Sequence, residues 1–334
     1  MLEAAVAERR LEHASFEGDA EQHRTTREER WIGPPGQELY VREIRPEPSP
    51  ERRFTVFVHG NTFPAAADFD LPRPGYSLTG YLARRGINCC IYDSRGYGRS
   101  YKPLRVEPIR EPQKLADLQS VVRHLIRHRG ASAIDFVALS SGCNTVAELL
   151  CSGELRASSV VFMGPAYLLT PFLAHQLTRI RLMRGLRTFL GRRSNPYINL
   201  SRKMIRRRIL DGEERLIERR TFDIFFDTAK TGTDGGKKLR TPALSFPDAE
   251  TEKIEWKPLF DPSGLTAPLL VMRGERDDIC DRHSARALLF RVPSPRARLV
   301  TFPDRKHDMH LYEDHGDVFD TLHRFLDRRL EGFS

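Results

Sequence analysis

The chain has no run of about eighteen uninterrupted apolar residues, so no segment reads as a membrane-spanning helix. Its first ten residues, Met1 to Arg10, lack the basic, apolar and small-residue order of a cleavable leader, which makes the cytoplasm the expected location. Cysteines number only five and show no metal-ligand spacing, which argues against a disulfide framework and against a zinc site. Cys89, Cys90, Cys143, Cys151 and Cys280 read as reduced small hydrophobes, with the adjacent pair on opposite faces of a strand. Gly96 and Gly98 lack the third glycine and the strand-turn-helix setting of a dinucleotide loop. No cofactor and no metal are therefore expected. Internal repeats and low-complexity tracts are also absent.

What remains has the balance of a soluble globular protein, 40% hydrophobic and 30% charged over 334 residues, enough for one elaborated domain. The net charge of +9 is concentrated. Residues Arg179 to Arg220 carry 14 Lys and Arg against 4 Asp and Glu, which leaves the remainder close to neutral.

Residues 1–27 form a charged extension whose Leu2, Val6 and Leu11 suggest a short helix. Arg30 to Ile32 and Glu38 to Glu43 flank Gly33-Pro34-Pro35-Gly36 and predict a hairpin, followed by a stiff connector at Pro46, Pro48 and Pro50. Apolar runs of strand length then follow at Phe54–His59, Ile87–Asp93, Ile134–Leu139, Ser159–Met163, Pro268–Arg273 and Ala297–Phe302. Helical patterns separate most of them, at Tyr81–Arg84, Leu115–His128, Ser284–Phe290 and Asp317–Leu330. Continuous apolar strands alternating with helices predict an α/β fold with a mostly parallel sheet covered on both faces. The alternation stops between about 166 and 264, where Arg-rich helical patterns and the loop Gly232 to Gly236 replace strands. The expected organisation is a core of 28–165 and 265–334 with a basic helical insertion at 166–264.

Ala138-Leu139-Ser140-Ser141-Gly142 places a serine where an apolar strand gives way to a helix. A nucleophilic serine on such a sharp turn needs small residues two before and two after it. Ser140 has Ala138 and Gly142 there, whereas Ser141 would have Leu139 and Cys143, so Ser140 is the candidate nucleophile. The competing reading makes Ser140 or Ser141 the cap of the next helix. Asp277, in Gly274-Glu275-Arg276-Asp277-Asp278, follows a strand and can orient a histidine, with Asp278 as its competitor. His307 lies beyond the last strand, where a general base can reach the serine, with His310 as the alternate. His59-Gly60-Asn61-Thr62 ends the first strong strand. Amide groups on such a turn can stabilise an oxyanion, each worth about 3 kcal/mol, and Asn61 with Ser141 are the candidate donors, Thr62 the substitute.

With Ser140, Asp277 and His307 in that order behind a His-Gly loop, the chain resembles the α/β-hydrolase superfamily over about residues 30–330. The segment Asp93-Ser94-Arg95-Gly96-Tyr97-Gly98-Arg99-Ser100 strengthens the resemblance and is mainly structural in that superfamily. The resemblance implies an α/β-hydrolase fold whose insertion is a helical cap that sets substrate choice. It implies a Ser-Asp-His serine hydrolase, and Ser140 at the elbow argues against dehalogenases and epoxide hydrolases, which use aspartate there. The expected reaction is cleavage of an ester or thioester of a small acyl substrate through an acyl-enzyme on Ser140. Phe222, Phe225 and Phe226 tilt that substrate toward a lipophilic one, although the same pattern fits core packing. A second expectation is a thioesterase, cyclase or acyl transferase acting on an acidic carrier protein, and a third is a non-catalytic binding module.

The insertion carries Arg179, Arg181, Arg184, Arg187, Arg192, Arg193, Arg202, Lys203, Arg206, Arg207 and Arg208, interleaved with apolar residues from Ile180 to Leu190. It fits a solvated face of amphipathic helices, and equally an acidic carrier protein, a coenzyme A ester or an anionic surface. Nucleic acid is disfavoured because no recognised module or aromatic platform accompanies the arginines.

Overall fold

The computed structural model describes residues 8–10, 23–49, 52–103, 109–175, 178, 182, 197–210, 213, 215–233, 236–242 and 258–327. Nine strands form one sheet: β1 (Glu8–Arg10), β2 (Arg24–Ile32), β3 (Leu39–Glu47), β4 (Arg53–Val58), β5 (Asn88–Tyr92), β6 (Ala133–Leu139), β7 (Ser159–Met163), β10 (Leu269–Gly274) and β11 (Ala297–Phe302). Their order is β1-β11-β10-β7-β6-β4-β5-β3-β2. β2 pairs antiparallel with β3 and β3 antiparallel with β5, while the other neighbours are parallel. From β4 the chain first moves outward to β5 and then returns to β6 on the other side of β4. Such a reversal opens a crevice at the carboxyl ends of the two diverging strands, where open α/β sheets bind ligands.

Helices cover both faces: α1 (Ala65–Phe69), α2 (Leu78–Ala83), α3 (Glu111–Arg129), α4 (Gly142–Cys151), α7 (Arg282–Arg291) and α8 (Gly316–Leu326). Alternate strand residues feed two apolar cores. Val56, Val58, Phe136, Ala138 and Phe162 pack toward α3, α4 and α7, while Phe57, Val137, Leu139, Val161 and Met163 pack toward α1, α2 and α8. Cys90 and Cys89 divide between the same two cores, as two successive strand residues must. Local chemistry sets several helix starts. The Ser77 hydroxyl accepts the Gly80 N–H at α2, and the Asp281 carboxylate accepts the Ser284 N–H at 2.7 Å at α7.

Two expectations change at the amino end. Glu8–Arg10 is a strand, parallel to β11 at the sheet edge, where a short helix was expected from the spacing of Leu2, Val6 and Leu11. Residues 1–7 and 11–22 lie outside the described residues. The hairpin also begins earlier than its apolar residues suggest. β2 reaches back to Arg24 because its outward positions carry charges that pair across strands.

Glu43 on β3 is fully buried, and Arg129 contacts its carboxylate at 2.8–2.9 Å, with Arg30 and Arg45 each at 3.5 Å. Three cations converge on one buried anion that ties the edge hairpin to α3. Glu43→Ala leaves those guanidinium groups facing one another with only Glu28 nearby. Urea denaturation should show a loss of about 2 kcal/mol, below the figure for a fully dry pair because the arginines keep some water.

Between β7 and β10 the described residues add no strand to the main sheet. This segment holds α5 (Arg202–Leu210), α6 (Arg219–Lys230) and a small antiparallel sheet of β8 (Tyr197–Leu200) and β9 (Leu239–Pro242), which the helical reading of the insertion did not foresee. Ile205, Ile209, Phe222, Phe225, Phe226 and Leu239 form its core together with Phe63, Ala67, Leu71, Leu311 and Tyr312 from the sheet domain. Of its basic residues Arg202, Lys203, Arg206, Arg207 and Arg208 are described. Arg179, Arg181, Arg184, Arg187, Arg192 and Arg193 lie outside the described residues.

Candidate active site

Ser140 follows the last residue of β6 with φ +55, in the left-handed region that a residue other than glycine enters only at a cost of about 1–3 kcal/mol. The Ser140 N–H donates to Met163 O at 2.8 Å, which fixes the turn against the end of β7. The turn also presses against the end of β4. A Cβ at Gly142 would stand 2.5 Å from Val58 O, so no larger residue fits there. Ala138 on the other side is fully buried between sheet and helix, and a methyl group fills that space.

Gly164, directly after Met163, has φ +56, and a Cβ on it would stand 2.8 Å from the His307 ring and 3.0 Å from Asp277 Oδ2. The ends of β10 and β11 therefore bring Asp277 and His307 against Gly164, one residue beyond the Met163 carbonyl that holds the Ser140 turn. His307 Nδ1 lies 2.9 Å from Asp277 Oδ2, and both side chains are buried. The other Asp277 oxygen accepts the N–H groups of Ile279 and Cys280, each at 2.9 Å. His307 Nε2 is buried and has no hydrogen-bond partner among the described residues. Asp278 is exposed, and its backbone oxygen, not its carboxylate, accepts the Thr170 hydroxyl. His310 is buried in the next turn, neither ring nitrogen has a partner among the described residues, and burial pushes its imidazole down to about 4, so it is neutral at physiological pH. Asp278 and His310 are thus not in the group that meets at Gly164.

The charges of the central pair support each other. Burial raises the Asp277 carboxyl, but the adjoining His307 and the two amides hold it below its ordinary value. Burial lowers the His307 imidazole, but the Asp277 carboxylate outweighs it and holds His307 above its ordinary value.

The loop after β4 is tied down from several sides. His59 Nδ1 donates to Gly60 O at 2.7 Å, and Nε2 then accepts the Ser94 N–H at 3.1 Å, which sets the tautomer. Asn61 O accepts the Tyr97 hydroxyl at 2.9 Å, and Asn61 Oδ1 accepts the buried Lys114 ammonium at 2.6 Å. The Gly60 N–H points to Asp68 Oδ2 at 3.4 Å and is spoken for. Ser141 heads α4 and its N–H has no acceptor among the described residues. The Thr62 hydroxyl accepts Arg208 Nη1 from α5. In the segment from Asp93 to Ser100, the Asp93 carboxylate accepts the N–H groups of Ala65 and Arg99 at 2.9 and 2.8 Å, a purely supporting arrangement.

Sequence reading missed Lys114, Asp68 and Gly164, and placed Tyr97 and Arg208 only in a structural segment and in the basic insertion. Each acts on the site from another element, and none carries a local pattern that links it to Ser140. Phe222, Phe225 and Phe226, taken as a sign of a lipophilic substrate, are 1–2% exposed and pack against one another and Phe63. They belong to the core of the segment.

A mostly parallel sheet that reverses at β4, with a strained serine turn at β6 and a helical excursion before β10, is the architecture of an α/β hydrolase. The chain belongs to the alpha/beta hydrolase family, whose model matches residues 55–321. Among solved structures it is similar to an alpha/beta hydrolase from Novosphingobium aromaticivorans, at 21% identity and TM-score 0.64 over 93% of this chain and 100% of that one. A soluble variant of monoglyceride lipase from Saccharomyces cerevisiae matches at 18% identity and TM-score 0.62, covering 91% of this chain and 96% of the other. A thermophilic esterase from Thermogutta terrifontis matches at 17% and 0.60, covering 90% and 98%. No curated protein matches the chain in sequence. No helix among the described residues is long and apolar enough to cross a membrane.

Proposed function

We propose that the protein is a serine hydrolase of carboxylic esters or thioesters, with Ser140 as nucleophile, His307 as base and Asp277 as the residue that orients it. The observation that carries this reading is a serine held at φ +55 and bonded to Met163 O, one residue before the Gly164 against which His307 packs, its Nδ1 taken by a buried carboxylate and its Nε2 without a partner among the described residues. Such strain is kept where the surroundings enforce it, and a nucleophile elbow is a reason to enforce it. The lipase and esterase among the similar structures agree in reaction class.

In this reading His307 Nε2 takes the Ser140 hydroxyl proton as Oγ attacks the carbonyl carbon. The carbonyl electron pair moves onto oxygen, where the N–H groups of Asn61 and Ser141 receive the charge. Collapse breaks the bond to the alcohol or thiol, which leaves with the proton from His307. Water then repeats the sequence on the acyl-enzyme and frees the acid and Ser140. The insertion between β7 and β10 serves as the cap in this reading.

A fluorophosphonate probe tests the assignment. Mass spectrometry of the labelled, digested protein is expected to show one adduct, on the peptide bearing Ser140, with labelling suppressed by acid. No adduct on folded protein, or one on Ser141, would overturn it.

A further inference from the structure

We infer that Arg208 makes this site selective for acyl substrates that carry a compact oxyanion, a carboxylate or a phosphate, on the acyl chain. The inference rests on the reading of Ser140 as the nucleophile and deepens it by naming the substrate class.

Arg208 links its segment to the loop after β4. Ile205 and Ile209 bury one face of α5 in the segment's core, and Arg208 is exposed. Its guanidinium reaches back to the loop after β4, where Nη1 donates to Thr62 Oγ1 and Cζ lies 5.5 Å from the centre of the Phe63 ring. Thr62 directly follows Asn61, so the charge stands beside the proposed oxyanion loop. Arg202 on the same helix is paired with Asp223, Arg73 with Glu218 and Arg276 with Glu213. No ion pair joins Arg208 to any described carboxylate.

Two buried groups register that charge. Arg208 works against the protonation of His307 and lowers the carboxyl of Asp68, although burial and then Asp308 outweigh it and keep Asp68 well above its ordinary range. Acyl transfer by Ser140 places a positive charge on His307 in the transition state; the Asp277 and Asp308 carboxylates favour that charge, and the Arg208 guanidinium opposes it less strongly. An anionic substrate group seated on Arg208 removes the opposition and adds a charge-assisted, geometrically selective hydrogen-bonded pair. The exposed face of the guanidinium left open by Thr62 and Phe63 is where such a group fits.

The test compares matched esters followed in a pH-stat: monomethyl succinate, glutarate and adipate against methyl butyrate, valerate and hexanoate, with methyl 4-phosphonooxybutyrate as the phosphate arm. The wild type is expected to favour the anionic member by kcat/KM, and Arg208→Met to lower that preference about tenfold. Arg208→Lys should restore part of it, and added salt should erode it in the wild type. Equal losses for both ester series in Arg208→Met would assign the residue to the oxyanion or to holding α5 in place, and would overturn the inference while leaving the hydrolase reading intact. A wild-type preference for neutral esters would overturn it as well. Calorimetry on Ser140→Ala separates the two readings without turnover. Binding of glutarate or inorganic phosphate that weakens about tenfold when Arg208→Met is added supports the anion site even if no ester is cleaved, and binding indifferent to Arg208 removes it. Whichever of the carboxylate and phosphate arms responds more strongly identifies the preferred anion.

Discussion

Ser140→Ala is expected to reduce ester turnover by about 10⁴-fold or more, because deleting the nucleophile of a serine hydrolase removes the covalent route entirely and leaves only what the remaining groups contribute. A pH-stat or chromogenic ester assay on the purified variant measures it. The physical content of the prediction lies in what should not change. Ser140 is 2.8 Å from Met163 O through its backbone N–H, a bond that alanine keeps, and its side chain supports no described element of the core. The variant should therefore fold and melt like the wild type. Ser140→Gly carries the argument further. A residue at φ +55 is strained unless it is glycine, so this second variant should lose turnover to the same degree and yet gain about 1 kcal/mol of stability by calorimetry. Loss of activity together with a gain in stability is the signature of a strained catalytic turn. Turnover that survives either substitution would end the assignment of Ser140.

Much of this architecture is legible in the sequence because strands buried on both faces are written as uninterrupted apolar runs. Ser159–Met163 and Ala297–Phe302 coincide with β7 and β11 to the residue. The elbow is legible for a different reason: sterics at Gly142 leave one choice of residue, and steric demands act over five adjacent positions. Features set by distant partners are not legible. Glu8–Arg10 is a strand only because β11 offers an open edge, and three charged residues in a row have no preference of their own that shows it. β8 and β9 are four residues each and stabilise one another across a gap of 38 residues. The aromatic residues of α6 illustrate a different ambiguity. An apolar stripe at helical spacing is required by a small core and by a greasy pocket alike, and only the position of Phe63 shows that a core claims it. The choice between Asp277 and Asp278 is of the same kind. Adjacent residues differ in direction, and direction is decided by the amides of Ile279 and Cys280, which only folding brings into range.

Asp277→Asn should cost about 10⁴-fold in kcat while leaving Ser140 and His307 in place. An amide in that position cannot hold His307 Nδ1 as the donor with the same force, and it supplies no charge to balance the imidazolium. Because Asp277 acts through His307 and does not touch substrate, the pH dependence separates this role from a structural one. In the wild type, burial disfavours the imidazolium but the carboxylate outweighs it, so His307 titrates above 6.5 and the acid limb of kcat/KM should lie above that pH. In Asp277→Asn the largest influence opposing burial is gone and Asp308 alone still favours the imidazolium, so the residual activity should show an acid limb displaced to lower pH. A limb that stays where it was would mean that Asp277 does not set the charge of His307. Stability runs in the other direction. The lowered pKa of Asp277 contributes stability present above its unfolded value near 3.8 and lost as pH falls through its lower folded value. The raised pKa of His307 contributes stability fully present below 6.5 and lost as pH rises through its higher folded value. The pair therefore stabilises the fold most between those limits, and the difference in melting temperature between wild type and Asp277→Asn should be widest there. Catalysis requires the neutral imidazole, so turnover rises over the pH range in which this pair's contribution to stability fades.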